Sequence, residues 1–451
     1  MSFRFLIALS VSAAALAGCV SVDGVAERER ALSAAANHAD PVAPYDVPLP
    51  QAGETLSEDG AAALAIARNP ALRAQLSEAG LARADWAVAV LPPNPVVELT
   101  WFNPEGAGAV LDMDVRAPAA ALLGYPMRRA AARAAYDGAQ ARAVLDAINF
   151  AADARRSWVE AVAANERAAL QQQILQSAEA ALVVAEEIDT AGNAPSAALA
   201  RQQLMTLAAR TDADDARQAA MLAGLDLEVM IAGEAELPDR LPDPARVTVP
   251  QDAAERALAA SLPLAAARAE AERAARVAGY ETLDSLLGAM EIGPAFDIEG
   301  GETETGISAH LDLPLFGLGH PQRAAAQIRA QQAADRYTAL EAEIRAAITA
   351  QVSEMEWASE RARFIREELL PASTRSLDET MRQYNAMQTG VYALLDAFNA
   401  QVSAGRAYVD AMARYHRARI AYMAMMQGGS PAGVQINAPS AGEAANAGED
   451  H

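Results

Sequence analysis

The sequence predicts a mainly α-helical protein with a small β part, in which one helix–strand–strand–long helix–long helix unit is used twice. Three observations carry this. Two pairs of short alternating stretches, at residues 95–125 and 285–316, each lead into a very long Ala/Arg/Gln-rich run. A proline-dense stretch from Leu237 to Pro250 separates two halves of similar length with the same order of elements. Hydrophobic residues make up 52% but aromatics only 5%, which points to long helices packed through small side chains rather than one large globular core.

Residues 1–18 read as a signal peptide. Arg4 gives a positive start, and Phe5 to Leu16 form an apolar run too short for a transmembrane helix. Leu16-Ala17-Gly18-Cys19 resembles the lipobox of bacterial lipoproteins. That makes Cys19, the only cysteine in 451 residues, a lipid-acceptor thiol. Val20, not Asp, follows it, which by the same resemblance points to the outer membrane of a Gram-negative cell. The Ala/Pro-rich segment 19–55 is expected to run extended. Repeat 1 then occupies 56–235, a Pro-rich linker 236–250, repeat 2 251–427, and an Ala/Gly/Ser tail 428–451. The linker reads as an exposed connector and the tail as disordered.

Each repeat opens on a shorter helical stretch, 61–90 and 253–277. Asn69-Pro70-Ala71-Leu72 in the first answers to Ser261-Leu262-Pro263-Leu264 in the second. Strand pairs follow. In the first, Val97, Leu99 and Trp101 alternate with Glu98 and Thr100, then Leu111, Met113 and Val115 with Asp112, Asp114 and Arg116. In the second, Met290, Ile292, Pro294, Phe296 and Ile298 alternate with Glu291, Gly293, Ala295, Asp297 and Glu299. After Gly300-Gly301, the stretch Ile307 to Leu313 alternates with Ser308, His310 and Asp312. A period of two with one apolar face describes strands wet on one side, each about long enough to cross a bilayer tilted.

Outgoing helices over 127–188 and 322–384 come next, each of about 60 residues or roughly 90 Å. Gly138 is the only glycine in these runs, and Pro371 is expected to interrupt the second. Turns at 191–193 and 387–390 lead into return helices over 196–231 and 392–426. Apart from the signal segment, no run approaches the roughly 18 apolar residues of a spanning helix. A membrane crossing must therefore use strands. An open sheet leaves edge N–H and C=O groups unpaired in lipid, and four strands are too few to close a barrel. Three copies give a twelve-strand β-barrel, continuous with a twelve-helix α-barrel of matching width.

The net charge of −23 and a pI near 4.6 argue against nucleic acid. All 36 basic residues are arginine, so Schiff-base chemistry and a phosphate-loop lysine are excluded.

The chain resembles the TolC-like outer-membrane efflux protein family over residues 56–427. Four features carry the likeness: Asn69-Pro70-x-Leu72; Pro93-Asn94-Pro95 entering the first strand; Leu313-Pro314-Leu315-Phe316-x-x-Gly319 joining strand to helix; and Tyr384-Asn385-Ala386-Met387-Gln388-Thr389-Gly390-Val391 with Leu394-Leu395-Asp396-Ala397 at a hairpin tip. That tip is most similar to the branch accompanying metal, especially copper, resistance. Two departures stand out: Asp189 replaces the aromatic the family often places before Ala191-Gly192-Asn193, and Arg116-Ala117-Pro118-Ala119 is a poor copy of the strand–helix junction. The resemblance implies a homotrimeric exit duct whose strands sit in outer-membrane lipid. Its hairpin tips, with Gly192, Asn193, Tyr384 and Gly390, would dock a periplasmic adaptor (membrane fusion) protein and, through it, an inner-membrane pump.

Two sets of carboxylates are candidate functional groups. Glu98, Asp112, Asp114, Glu291, Asp297, Glu299 and Asp312 lie on the polar strand face, opposed almost only by Arg116. Threefold repetition would line a lumen with acid and favour cations. Glu187 and Asp189 precede the first turn and Asp396 follows the second; carboxylates at a helix C-terminus are mildly unfavourable, which points to a constriction or adaptor contact for Asp189. Gly317-Leu318-Gly319-His320-Pro321-Gln322 lacks the third glycine of a dinucleotide loop, the five histidines are scattered, and Met423, Met425 and Met426 read as helix packing. No catalytic constellation or resident metal or cofactor is expected, beyond the lipid on Cys19. The competing readings are a non-channel periplasmic coiled-coil spacer or adaptor lipoprotein, and a lipid-anchored enzyme.

Overall fold

A computed structural model describes residues 22–38, 49, 54–102, 110–191, 196–244, 249–288, 290–299, 302–311 and 319–430. Cys19, Gly192, Asn193, Asp312 and the Leu313–Phe316 junction lie outside them, as does the side chain of Glu299. In chain order the elements are α1 (Gly24–Asn37), α2 (Glu58–Arg68), α3 (Pro70–Ala89), β1 (Val96–Phe102), β2 (Val110–Pro118), α4 (Ala119–Leu123), α5 (Tyr125–Thr190) and α6 (Ser196–Ile231). They continue with α7 (Ala253–Ala260), α8 (Leu262–Leu287), β3 (Met290–Glu299), β4 (Glu302–Leu311), α9 (His320–Phe364), a π-helical turn (Ile365–Leu369), α10 (Leu370–Asn385) and α11 (Val391–Met426). The protein is mainly helical with one small sheet, and among the described residues no helix is long and apolar enough to cross a membrane.

The chain falls into two compact units. One draws on residues 1–33, 74–144 and 262–342, the other on 34–73, 145–261 and 343–451. The first holds the sheet, four antiparallel strands in the order β1-β2-β3-β4. Its β2–β3 ladder tightens at Gly293, where an added Cβ would collide with the Val115 carbonyl. The short α4 caps β2 and packs on α8. Gly138 lets α5 approach α8 closely, since a Cβ there would stand 3.2 Å from that of Ala269.

In the second unit α9 and the start of the π turn present a heptad seam. Ile344, Ile348, Gln351, Met355, Ala358, Ala362 and Ile365 are all buried, at alternating spacings of four and three. Gln351 is the polar member and donates to the Ala418 carbonyl of α11 at 3.2 Å. On α5, Trp158 is 2% exposed and its indole N–H donates to the Leu56 carbonyl at 2.8 Å.

Four expectations change and one holds. Segment 19–55 is not extended throughout, because Gly24–Asn37 is helical. Asp23 accepts from the Val25 N–H at its start, and Glu27, Ala31 and Ala35 form a buried stripe at spacings of four. Strand β4 begins at Glu302, five residues before the alternation recognised from Ile307, because Thr303 and Thr305 take the face that aliphatic residues hold further on. The interruption expected at Pro371 is present. A π turn absorbs the missing N–H just ahead of it, and the helix continues to Asn385. The linker is not merely exposed: Leu241 is buried, and Glu236 accepts from the Leu56 N–H at 2.7 Å. Of the tail, Gly428 to Ser430 are packed, with the Ser430 N–H donating to Asn149 at 3.1 Å, and residues from 431 lie outside the description.

Candidate functional site

The strand register decides which side chains share a face. Across the sheet, Glu98 stands opposite Asp114, Thr100 opposite Asp112, Asp112 opposite Asp297, and Asp297 opposite Glu304. Asp112, Asp297 and Glu304 therefore form one lateral row of three carboxylates. Like charges directly opposite one another destabilise a ladder by roughly 0.2–1 kcal/mol per pair. Stability of the sheet does not explain this row. Glu304 was missed in the sequence because the five residues before Ile307 carry no apolar alternation; the signal available was Thr303-Glu304-Thr305. Arg116 lies between Glu98, with which it forms an ion pair, and Glu291, at 3.8 Å, and so neutralises one end of the face. Asp114 has one buried carboxylate oxygen without a hydrogen-bond partner.

The opposite face is apolar and open. Leu99 is 63% exposed, Trp101 69%, Ile307 82% and Leu311 59%, and Val97 and Ile292 are exposed beside them. β1 and β4 are the edge strands. An amphipathic sheet with an uncovered apolar face and two free edges is unstable in water and prone to pair edge to edge.

The tip residues sit on turns at helix ends. Glu187 is exposed and Asp189 half-buried in the last turn of α5, which carries no basic residue. At the α10–α11 turn the Met387 N–H donates to Tyr384 and the Gln388 N–H to Gln383, at 2.9 and 2.8 Å. Met387 has φ +58° and is 95% exposed. Gly390 caps α11 in extended backbone, with open space where a Cβ would stand. Tyr384 is exposed. Asp396 lies one turn further on and lines a groove of about 640 Å³ between α5, α6 and α11, with Gln202, Asp212, Tyr392 and Arg406. Strand carboxylates are thus brought together, while the described tip residues are distributed along one hairpin end and one helix end. Among the described residues no group of three or more His, Cys, Asp or Glu side chains is arranged to hold a metal ion.

No family model matches this chain, and no curated protein matches it in sequence. Solved structures match it in fold. The outer-membrane channel OprN is 15% identical with a TM-score of 0.67, over 87% of this chain and 96% of that one. The CmeC outer membrane channel of Campylobacter jejuni is 12% identical with a TM-score of 0.65, over 87% and 96%. The MtrE outer membrane channel of Neisseria gonorrhoeae, in its open state, is 16% identical with a TM-score of 0.65, over 82% and 88%. The chain has the fold of these outer-membrane channels, which is the fold expected from its resemblance to TolC-like proteins.

Proposed function

We propose that this chain is the outer-membrane exit channel of a tripartite efflux system. It is a homotrimer, anchored by lipid on Cys19, that passively conducts small molecules or ions. One observation carries the reading: a four-stranded sheet with an uncovered apolar face, a carboxylate-bearing opposite face and two free edges. In lipid those edges must be satisfied, and joining β4 of one copy to β1 of the next in a ring of three closes twelve strands. The apolar face then meets acyl chains and the carboxylates meet water. A periplasmic spacer has no use for such a sheet, and an enzyme would need a site that the strand and tip residues do not form.

On this reading the α5–α6 and α10–α11 tips, with Gly192, Asn193, Tyr384 and Gly390, dock the adaptor, and the partner pump supplies the energy. Glu187, Asp189 and Asp396 belong to that mouth. Residues 56–235 and 251–427 are the two copies of the duplicated unit. A metal-ion cargo is the narrower version and rests on the Tyr384–Val391 tip alone. The test is assembly and conduction together. Purified in detergent, the protein should have the mass of three copies of the chain from Cys19 onward by light scattering and form discrete pores in planar bilayers. A monomer that never inserts or conducts overturns the proposal.

A further inference from the structure

Away from the sheet and the tips, the second unit buries His416 between the linker and the start of α2. The residue is 3% exposed, and its Nε2 lies 2.9 Å from the Pro242 carbonyl of the linker. A carbonyl can only accept, so Nε2 carries the hydrogen. In the neutral ring Nδ1 is then a lone pair, and this atom is buried without a hydrogen-bond partner. It faces the Glu58 carboxylate at the start of α2, 3.7 Å away. Two acceptors turned toward each other away from water are a costly arrangement. Addition of one proton reverses it.

The surrounding charges come from every element packed here. Arg419 of α11 pairs with the same Glu58 carboxylate. Arg155 of α5 holds Asp59 of α2 at 2.8 Å. In the linker, Asp243 lies 3.2 Å from Arg366 and 3.4 Å from the Tyr408 hydroxyl. The Tyr415 ring meets the imidazole edge-on, with centroids 5.2 Å apart. Arg419 and Arg155 oppose a further positive charge, while Glu58 has lone pairs enough to accept from both Arg419 and a protonated His416.

We propose that His416 is a proton-operated latch. Uptake of one proton from solvent on Nδ1 turns the opposed lone pair into an N–H donated to Glu58, so that α11 is tied at once to the linker through Pro242 and to α2 through Glu58. Proton uptake at Nδ1 therefore tightens this joint.

The full chain in detergent is melted from pH 8 to pH 6. Wild type is expected to gain about 2 °C in Tm relative to His416→Gln, which keeps a donor for Pro242 but does not titrate. Equal pH slopes for the two proteins overturn the latch. Should His416→Gln not fold, histidine-labelled wild type answers by NMR, since only five imidazoles are present. A buried ring that gains a proton between pH 8 and 6, with a midpoint lowered by Glu58→Gln, supports the latch; a buried ring still neutral at pH 6 overturns it. Both readouts concern folding and protonation, so they hold whether or not the chain conducts.

Discussion

Met387 occupies left-handed backbone with no steric need for its side chain, at 95% exposure. A non-glycine residue in that conformation costs on the order of 1–2 kcal/mol. Met387→Gly is therefore expected to stabilise the hairpin end by about 1 kcal/mol in denaturant unfolding. If the exposed thioether is there for a docking partner, the same change weakens adaptor capture in a pull-down, and unchanged capture removes Met387 from the docking surface. Glu58 shows the opposite balance. Burial pushes its carboxyl up, but the adjoining His416 and the charges of Arg419 and Arg155 outweigh this and hold it below 4.5. A depressed folded-state value adds stability above 4.5 that is lost as the pH falls through that lower value. Protonating His416 and protonating Glu58 thus act on this joint with opposite signs. None of this was legible in the sequence, where Glu58 is one acid in a helix start and His416 one of five scattered histidines. Only folding brings positions 58, 242 and 416 together.

At the scale of elements, strand identity was written in the alternation of Val97, Leu99 and Trp101 or of Ile292, Pro294, Phe296 and Ile298, because a pleated backbone turns successive side chains to opposite faces. The start of β4 was not, because Thr303 and Thr305 are polar by composition and strand-forming by β-branching. Gly293 gave no warning either; its role is set by the approach of β2, which the β2–β3 register fixes. Gly293→Val is expected to cost at least about 1–3 kcal/mol, since a backbone carbonyl cannot rotate away as a side-chain tip can. Loss of strand signal in circular dichroism with helical signal retained is the expected result; an unchanged melt would mean that the ladder shifts register at no cost. Pro371 illustrates a partial reading. A disturbance was predictable from the missing N–H, but whether the helix stops or bulges depends on neighbours, and here it bulges over Ile365–Leu369.

For the whole molecule, the carboxylate row gives a prediction about the assembled pore. If Asp112, Asp297 and Glu304 face a lumen in three copies, reversal potentials in a salt gradient show cation preference. The combined Asp112→Asn, Asp297→Asn, Glu304→Gln variant should then lower the cation-to-anion permeability ratio by at least about twofold. Anion preference in the wild type, or a variant of unchanged selectivity, would put the row outside the conduction path. Composition and periodicity determined that the chain is mainly long helices with two amphipathic strand pairs, since those patterns are local and repeat every two or three to four residues. Only the tertiary structure decided that the two hairpins join through β2 and β3 into one sheet, that Glu304 completes a row with Asp112 and Asp297, and that the linker is pinned at Pro242. Those facts depend on register and on contacts between residues far apart in the chain, and a residue's immediate neighbours carry no record of them.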